Sequence, residues 1–128
     1  MNTRELLTVL LWICLMQTAC SNYGSKYEAG KNIEVYYTDS VDQGTAKRTG
    51  DFLSRNISTE TRKSFQLTRS GEIFIFRMVV DRNKIKELND QALQAFALLL
   101  SDSVFNNRPV KIELCDDHFK IIRSLPYR

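Results

Sequence analysis

The stretch Glu72 to Val80 (EIFIFRMVV) constrains the fold more than any other. After Glu72 every residue is apolar except Arg77, whereas a strand with one wet face alternates apolar with polar. A strand that is apolar on both sides belongs inside a sheet, not at its margin. Just upstream, Lys63 to Thr68 (KSFQLT) places Phe65 and Leu67 on one side, and Ser70-Gly71 supplies a turn. The two runs predict a β-hairpin around which the rest of the chain must be arranged.

Before the hairpin, Asn32 to Thr38 (NIEVYYT) sets Ile33, Val35 and Tyr37 against Glu34 and Tyr36, the period of a strand with one buried face. Ser40 with Gln43 three residues on has the form of a capping box and opens a helix through about Asn56. Ala46, Gly50, Leu53 and Ile57 share one face of it. Gly50 costs about 1 kcal/mol of helix propensity relative to alanine, which implies close packing against the sheet. After the polar break Asp81 to Lys84, helical spacing runs from Ile85 to Phe105. It places Leu88, Ala92, Ala95, Phe96, Leu99 and Ser103 on one face, widened by Leu98 and Leu100. Asn106-Asn107 and Pro109 stop it. Val110, Ile112 and Leu114 then alternate with Lys111, Glu113 and Cys115, and Phe119 to Ser124 forms a short fifth strand after the corner Asp116-Asp117-His118. The order strand, helix, strand, strand, helix, strand predicts an α+β domain of the ferredoxin-like β-α-β-β-α-β type. It would have a four-stranded antiparallel sheet with two helices on one face and the other face open.

The N-terminus carries a different signal. Arg4 and the free amine precede an apolar run, Leu6 to Met16, and then Gln17-Thr18-Ala19-Cys20. This is the order of a secretory leader. Its apolar run is much shorter than the roughly 20 residues that span a bilayer. Thr18-Ala19-Cys20 resembles the lipobox of bacterial lipoproteins, although Gln17 stands where that family prefers Leu. The resemblance implies cleavage after residue 19, lipid on Cys20 and a protein of the bacterial cell envelope facing away from the cytoplasm. Ordinary secretion with a nearby cut is the alternative. Ser21 to Lys31 (SNYGSKYEAGK) reads as a tether, leaving 32–128 as one domain, a length that can bury a single core. The fragments VYYT, MVV and LCDD with FK after them are similar to an uncharacterised bacterial envelope domain, a resemblance that brings no activity and no site residue.

Cysteine usage agrees with the lipid anchor. Cys14 leaves with the leader and Cys20 carries the lipid, so Cys115 has no disulfide partner. A small secreted domain built on disulfides would show an even set. An unmodified Cys20 would leave a Cys20–Cys115 bridge open. The formal net charge of +3 is too mild to point to nucleic acid. No cofactor fingerprint, HExxH, paired CxxC, EF-hand loop, GxSxG elbow or glycine-rich phosphate loop is present.

Two constellations remain. Cys115-Asp116-Asp117-His118 gathers thiol, carboxylates and the sole histidine. A divalent cation at Asp116, Asp117 and His118, or acid–base work with Cys115 as nucleophile, is one reading of it. Adjacent residues leaving a strand diverge, so a turn that stops the last hairpin is the simpler one. The open sheet face is the second candidate. Tyr36, Lys111 and Glu113 point outward there, together with either Phe74, Phe76 and Met78 or Ile73, Ile75 and Arg77. Either set leaves large apolar groups uncovered. A partner or a second copy would cover them, unless Phe119 to Leu125 folds back across the face. The expectation is a lipid-anchored, non-enzymatic module that binds another envelope protein, or itself, through Tyr36, Arg77, Lys111 and Glu113. A small metal or thiol enzyme at the corner is the alternative.

Overall fold

A computed structural model describes residues 23–126. Six strands form one mixed sheet in sequential order: β1 (Ser25–Ala29), β2 (Ile33–Tyr37), β3 (Lys63–Ser70), β4 (Ile73–Val79), β5 (Val110–Cys115) and β6 (Ile121–Ser124). Helix α1 (Gln43–Asn56) joins β2 to β3, and α2 (Asp90–Ser103) joins β4 to β5 after a 3-10 turn at Arg82–Glu87.

The domain is α+β, but its sheet is not ferredoxin-like. β2 pairs parallel with β3, and β4 parallel with β5. The other three neighbours, β1–β2, β3–β4 and β5–β6, are antiparallel. A ferredoxin-like sheet interleaves the strands of its two units, whereas here each helix returns to the adjacent strand. The local order of elements is common to both arrangements, so the sequence could not separate them. The expected β3–β4 hairpin forms, with Leu67 opposite Phe76 and Gly71 at φ +57 in its turn.

The stretch expected to be a tether contributes a strand of the sheet. Its Lys26, Tyr27 and Glu28 lie opposite Tyr36, Val35 and Glu34. Tyr27 and Ala29 pack beneath α1, where a Cβ on Gly50 would come within 2.8 Å of the Tyr27 ring and 3.2 Å of the Ala29 methyl. The close packing predicted for Gly50 is real, and strand β1 is what it packs on.

Register rows put Val35, Phe65, Leu67, Phe74, Phe76, Ile112 and Leu114 on the same side of the sheet. They join Leu53 of α1 and Leu93, Ala97 and Leu100 of α2 in one core. Both helices therefore cover the same face. Because β2 and β4 run in opposite directions while both crossovers step the same way across the sheet, the two crossovers have opposite hands. One is left-handed, which parallel crossovers avoid in about 98% of cases. A single core shared by two units joined through one hairpin requires it.

Local details also shift. Asp42, not Ser40, caps α1, its carboxylate accepting from the Thr45 amide at 2.6 Å. The Ser40 hydroxyl accepts from the Arg69 amide instead. Helix α2 starts later than its periodicity suggested, capped by Asn89, and turns a different face inward. Leu93, Ala97, Leu100 and Ser101 are buried, while Leu98 and Leu99 stand about half exposed at 53% and 47%. Leucines on three sides made the phase of this helix ambiguous. No described helix is long and apolar enough to cross a membrane, and the leader expected over residues 1–19 and the lipid expected on Cys20 lie outside the described residues.

Candidate functional site on the helix-free sheet face

The register settles which residues face away from the helices. Phe74, Phe76 and Met78 point into the core, so Ile73, Ile75 and Arg77 point out. One transverse row crosses all six strands: Lys26, Tyr36, Gln66, Arg77, Glu113 and Ser124. Three of the four residues expected at this surface, Tyr36, Arg77 and Glu113, fall in it. Lys111 lies one step along β5.

Four members of the row, Gln66, Arg77, Glu113 and Ser124, form a connected polar network. Arg77 Nε donates to Glu113 Oε1 at 3.0 Å and Arg77 Nη1 to Gln66 Oε1 at 2.9 Å. Gln66 Nε2 passes the chain on to the Tyr23 carbonyl at 3.0 Å. Ser124 Oγ donates to the second Glu113 oxygen at 3.1 Å, with Lys111 Nζ 3.9 Å from it. Glu113 and Gln66 are buried although no helix covers them. Burying a carboxylate is tolerable only when it is paired and hydrogen-bonded, and Glu113 is both. A second cluster flanks the row. Glu34, also buried, accepts from Ser64 at 2.5 Å and pairs with Arg62 at 3.4 Å and Lys26 at 3.9 Å.

Part of this face has an aromatic cover. The rings of Tyr23, Tyr36 and Phe119 meet edge-on, with centroids 5.3 to 5.8 Å apart. Phe119 reaches this position in the left-handed region at φ +58. The fold-back considered for Phe119 to Leu125 thus splits in two. Phe119 lies over the helix-free face, whereas Leu125 joins the core on the helix side. Ile73 and Ile75 remain half-buried beside Lys111.

The Cys115 corner builds a turn. Asp116 Oδ1 accepts from the amides of His118 and Lys120, both at 2.9 Å. The Lys120 amide and then the His118 amide hold its carboxyl below the usual range. Asp117 and His118 project into solvent, with His118 Nε2 3.7 Å from Asp117 Oδ1, and Tyr23 Oη lies 3.2 Å from His118 Nδ1. Among the described residues, no three of His, Cys, Asp and Glu converge to hold a cation. Cys115 is fully buried, and burial pushes its thiol up to about 11. A nucleophilic thiol needs the opposite shift.

Sequence reasoning missed Gln66, Ser124 and Tyr23. Gln66 was visible as the polar position between Phe65 and Leu67. Tyr23 was not, because its segment reads as a linker until the pairing of β1 places it.

Comparison with known proteins adds the family but no activity. No curated protein and no solved structure matches the chain. A family model described as a family N-terminal domain matches residues 26–125, from β1 to just past β6, and the chain belongs to this uncharacterised AF_1994_N family.

Proposed function

We propose that this protein is a non-enzymatic binding module, lipid-anchored at Cys20 to the outward side of a bacterial membrane, that holds another envelope protein through its helix-free sheet face. The anchor rests on the leader and on Thr18-Ala19-Cys20. The observation that carries the binding role is the hydrogen-bonded set Gln66, Arg77 and Glu113, with Tyr36 held against Tyr23 and Phe119 at one end and half-buried Ile73 and Ile75 alongside. A pre-ordered polar row next to apolar side chains loses little entropy on docking. At the Cys115 corner, Asp116 holds the turn and the thiol is buried, which favours the binding reading over the metal or thiol enzyme.

Two measurements test the proposal. Mass spectrometry of the mature N-terminus should find a diacylated or triacylated Cys20; an intact leader or an unmodified Cys20 removes the anchor. A photo-crosslinking residue at Ile75 in the full-length protein, irradiated in its own membrane, should give one discrete adduct. The same residue at Lys47 on the helix side should give none. Equal adducts from both positions, or none from Ile75, would refute the binding face, and an adduct of twice the mass would identify the partner as a second copy.

A further inference from the structure

Three arginines from separate parts of the chain line a single cavity at one end of the sheet. Arg48 comes from the second turn of α1, Arg69 from the end of β3 and Arg108 from the loop entering β5. The cavity measures about 210 Å³ and is shared with Asp42, Thr45 and Asn106. By liquid volume this is room for roughly seven waters. That suffices for a tetrahedral oxyanion and the first atoms of its substituent.

Each arginine is positioned by the protein, yet little of its donor capacity is used there. Arg48 Nη2 donates to Thr45 Oγ1 at 3.1 Å. The Arg69 guanidinium lies over the Phe74 ring at 5.0 Å and gives its Nε–H to the Gly71 carbonyl at 2.7 Å. Arg108 is placed through its backbone: its carbonyl accepts from buried Ser101 at 2.6 Å, just after Asn106 and Asn107 at φ 54 and 64. Asparagine adopts this conformation readily, and the pair closes the end of α2, the Asn107 amide donating to the Ser101 carbonyl at 2.9 Å. A guanidinium carries five N–H donors. These contacts take one from Arg48 and one from Arg69. The counter-charges are Glu72, 3.7 Å from both Arg69 and Arg108 but 76% exposed, and Asp42, whose Oδ1 accepts from the Thr45 amide while its charge faces Arg48 and Arg69.

We infer that the cavity between Arg48, Arg69 and Arg108 is a binding site for a phosphate-bearing ligand. A carboxylate is satisfied by one arginine fork, whereas three guanidinium groups arriving from three elements suit an anion that presents oxygens in several directions. The first turn of α1 borders the same place, and Gly44 there has no side chain to block approach. The ligand is either a soluble phosphate or a phosphate monoester headgroup in the membrane. The cavity lies at the end of the sheet where β2 finishes and β1 begins, Ser25 opposite Tyr37. Ser25 is five residues after Cys20 in sequence, at most about 18 Å of extended chain. A lipid on Cys20 would therefore keep this end near the bilayer. That geometric point rests on the anchor proposed above; the arginine site does not.

The test uses the full-length chain in a non-ionic detergent, titrated calorimetrically at low ionic strength with inorganic phosphate and, separately, with short-chain phosphatidic acid or short-chain phosphatidylcholine in the same micelles. Arg48→Gln, Arg69→Gln and Arg108→Gln should each weaken the interaction roughly tenfold or more, as loss of a charge-assisted hydrogen bond implies. Arg55→Gln, at the far end of α1, should leave it unchanged. Asp42→Asn keeps the helix cap and removes the one negative wall, so it should bind tighter. This opposite sign separates a site from general destabilisation. Saturable phosphate binding with this pattern supports a soluble ligand, and the same pattern only with phosphatidic acid supports the headgroup. The inference is overturned if the wild-type protein responds to neither probe, if the Gln variants match Arg55→Gln, or if acetate competes as well as phosphate.

Discussion

Arg77→Ala is the sharpest test of the polar row. The substitution removes two hydrogen bonds, at 3.0 Å to Glu113 and 2.9 Å to Gln66. It leaves behind a carboxylate whose side chain is only 6% exposed. Removing one partner of a fully buried pair costs about 3–5 kcal/mol, while an exposed pair contributes about 0.2–1 kcal/mol. The Arg77 side chain is 23% exposed, so water reaches its position once it is cut back. Ser124 and Lys111 still face Glu113 as well. These considerations place the loss at about 2–3 kcal/mol, between the two limits. For a domain of this size that is a fall in Tm of roughly 10–20 °C. Urea unfolding followed by circular dichroism measures it, and Glu113→Gln completes a double-mutant cycle with an expected coupling of about 1–2 kcal/mol. A loss under about 0.5 kcal/mol, or the same loss in both backgrounds, would show that the network contributes nothing as a network.

Other outcomes follow from the same structure. Gly50→Ala should destabilise by about 1–2 kcal/mol despite better helix propensity, because the added methyl meets the Tyr27 ring at 2.8 Å; a stabilised variant in thermal melts would mean that β1 does not pack there. That ring is held in place by its hydroxyl, which donates to Asp51 at 2.7 Å. The Thr45 amide and the nearby Arg48 hold the Asp42 carboxyl below its ordinary range. A depressed carboxylate contributes stability above its unfolded pKa of about 3.9 and loses it as pH falls through the lower folded value. Asp42→Ala should therefore cost about 1 kcal/mol at pH 7 and flatten the acid limb of a stability-against-pH curve; an unchanged limb would contradict the cap. In a Cys14→Ser/Cys20→Ser background, Cys115 should resist a thiol reagent at pH 8 until urea unfolds the chain, and rapid native labelling would refute its burial.

Much of the local structure could be read from the residues. Alternation in NIEVYYT and VKIELC, the Ser70-Gly71 turn and the Ala46/Gly50/Leu53 face are short-range patterns, set by the 2.0 and 3.6 periods of strand and helix. They also placed Tyr36, Lys111 and Glu113 on the side away from Val35 and Ile112. The choice between Phe74/Phe76/Met78 and Ile73/Ile75/Arg77 stayed open, because both sets are apolar enough to be buried. The phase of α2 was misread for the same reason, with leucines at 93, 98, 99 and 100.

The sequence alone determined that two helices cross between strands around a central hairpin, because those signals are carried by neighbours in the chain. Tertiary structure decided which strands lie side by side, whether Ser25–Ala29 belongs to the sheet, and that Gln66, Arg77 and Glu113 meet. Each of these is a contact between residues distant in sequence. Several topologies satisfy the same local periods, and only burial of one shared core selects among them. The three arginines at positions 48, 69 and 108 show this most plainly: each is an ordinary surface charge in the sequence, and only the pairing of β2, β3, β4 and β5 brings them to one cavity.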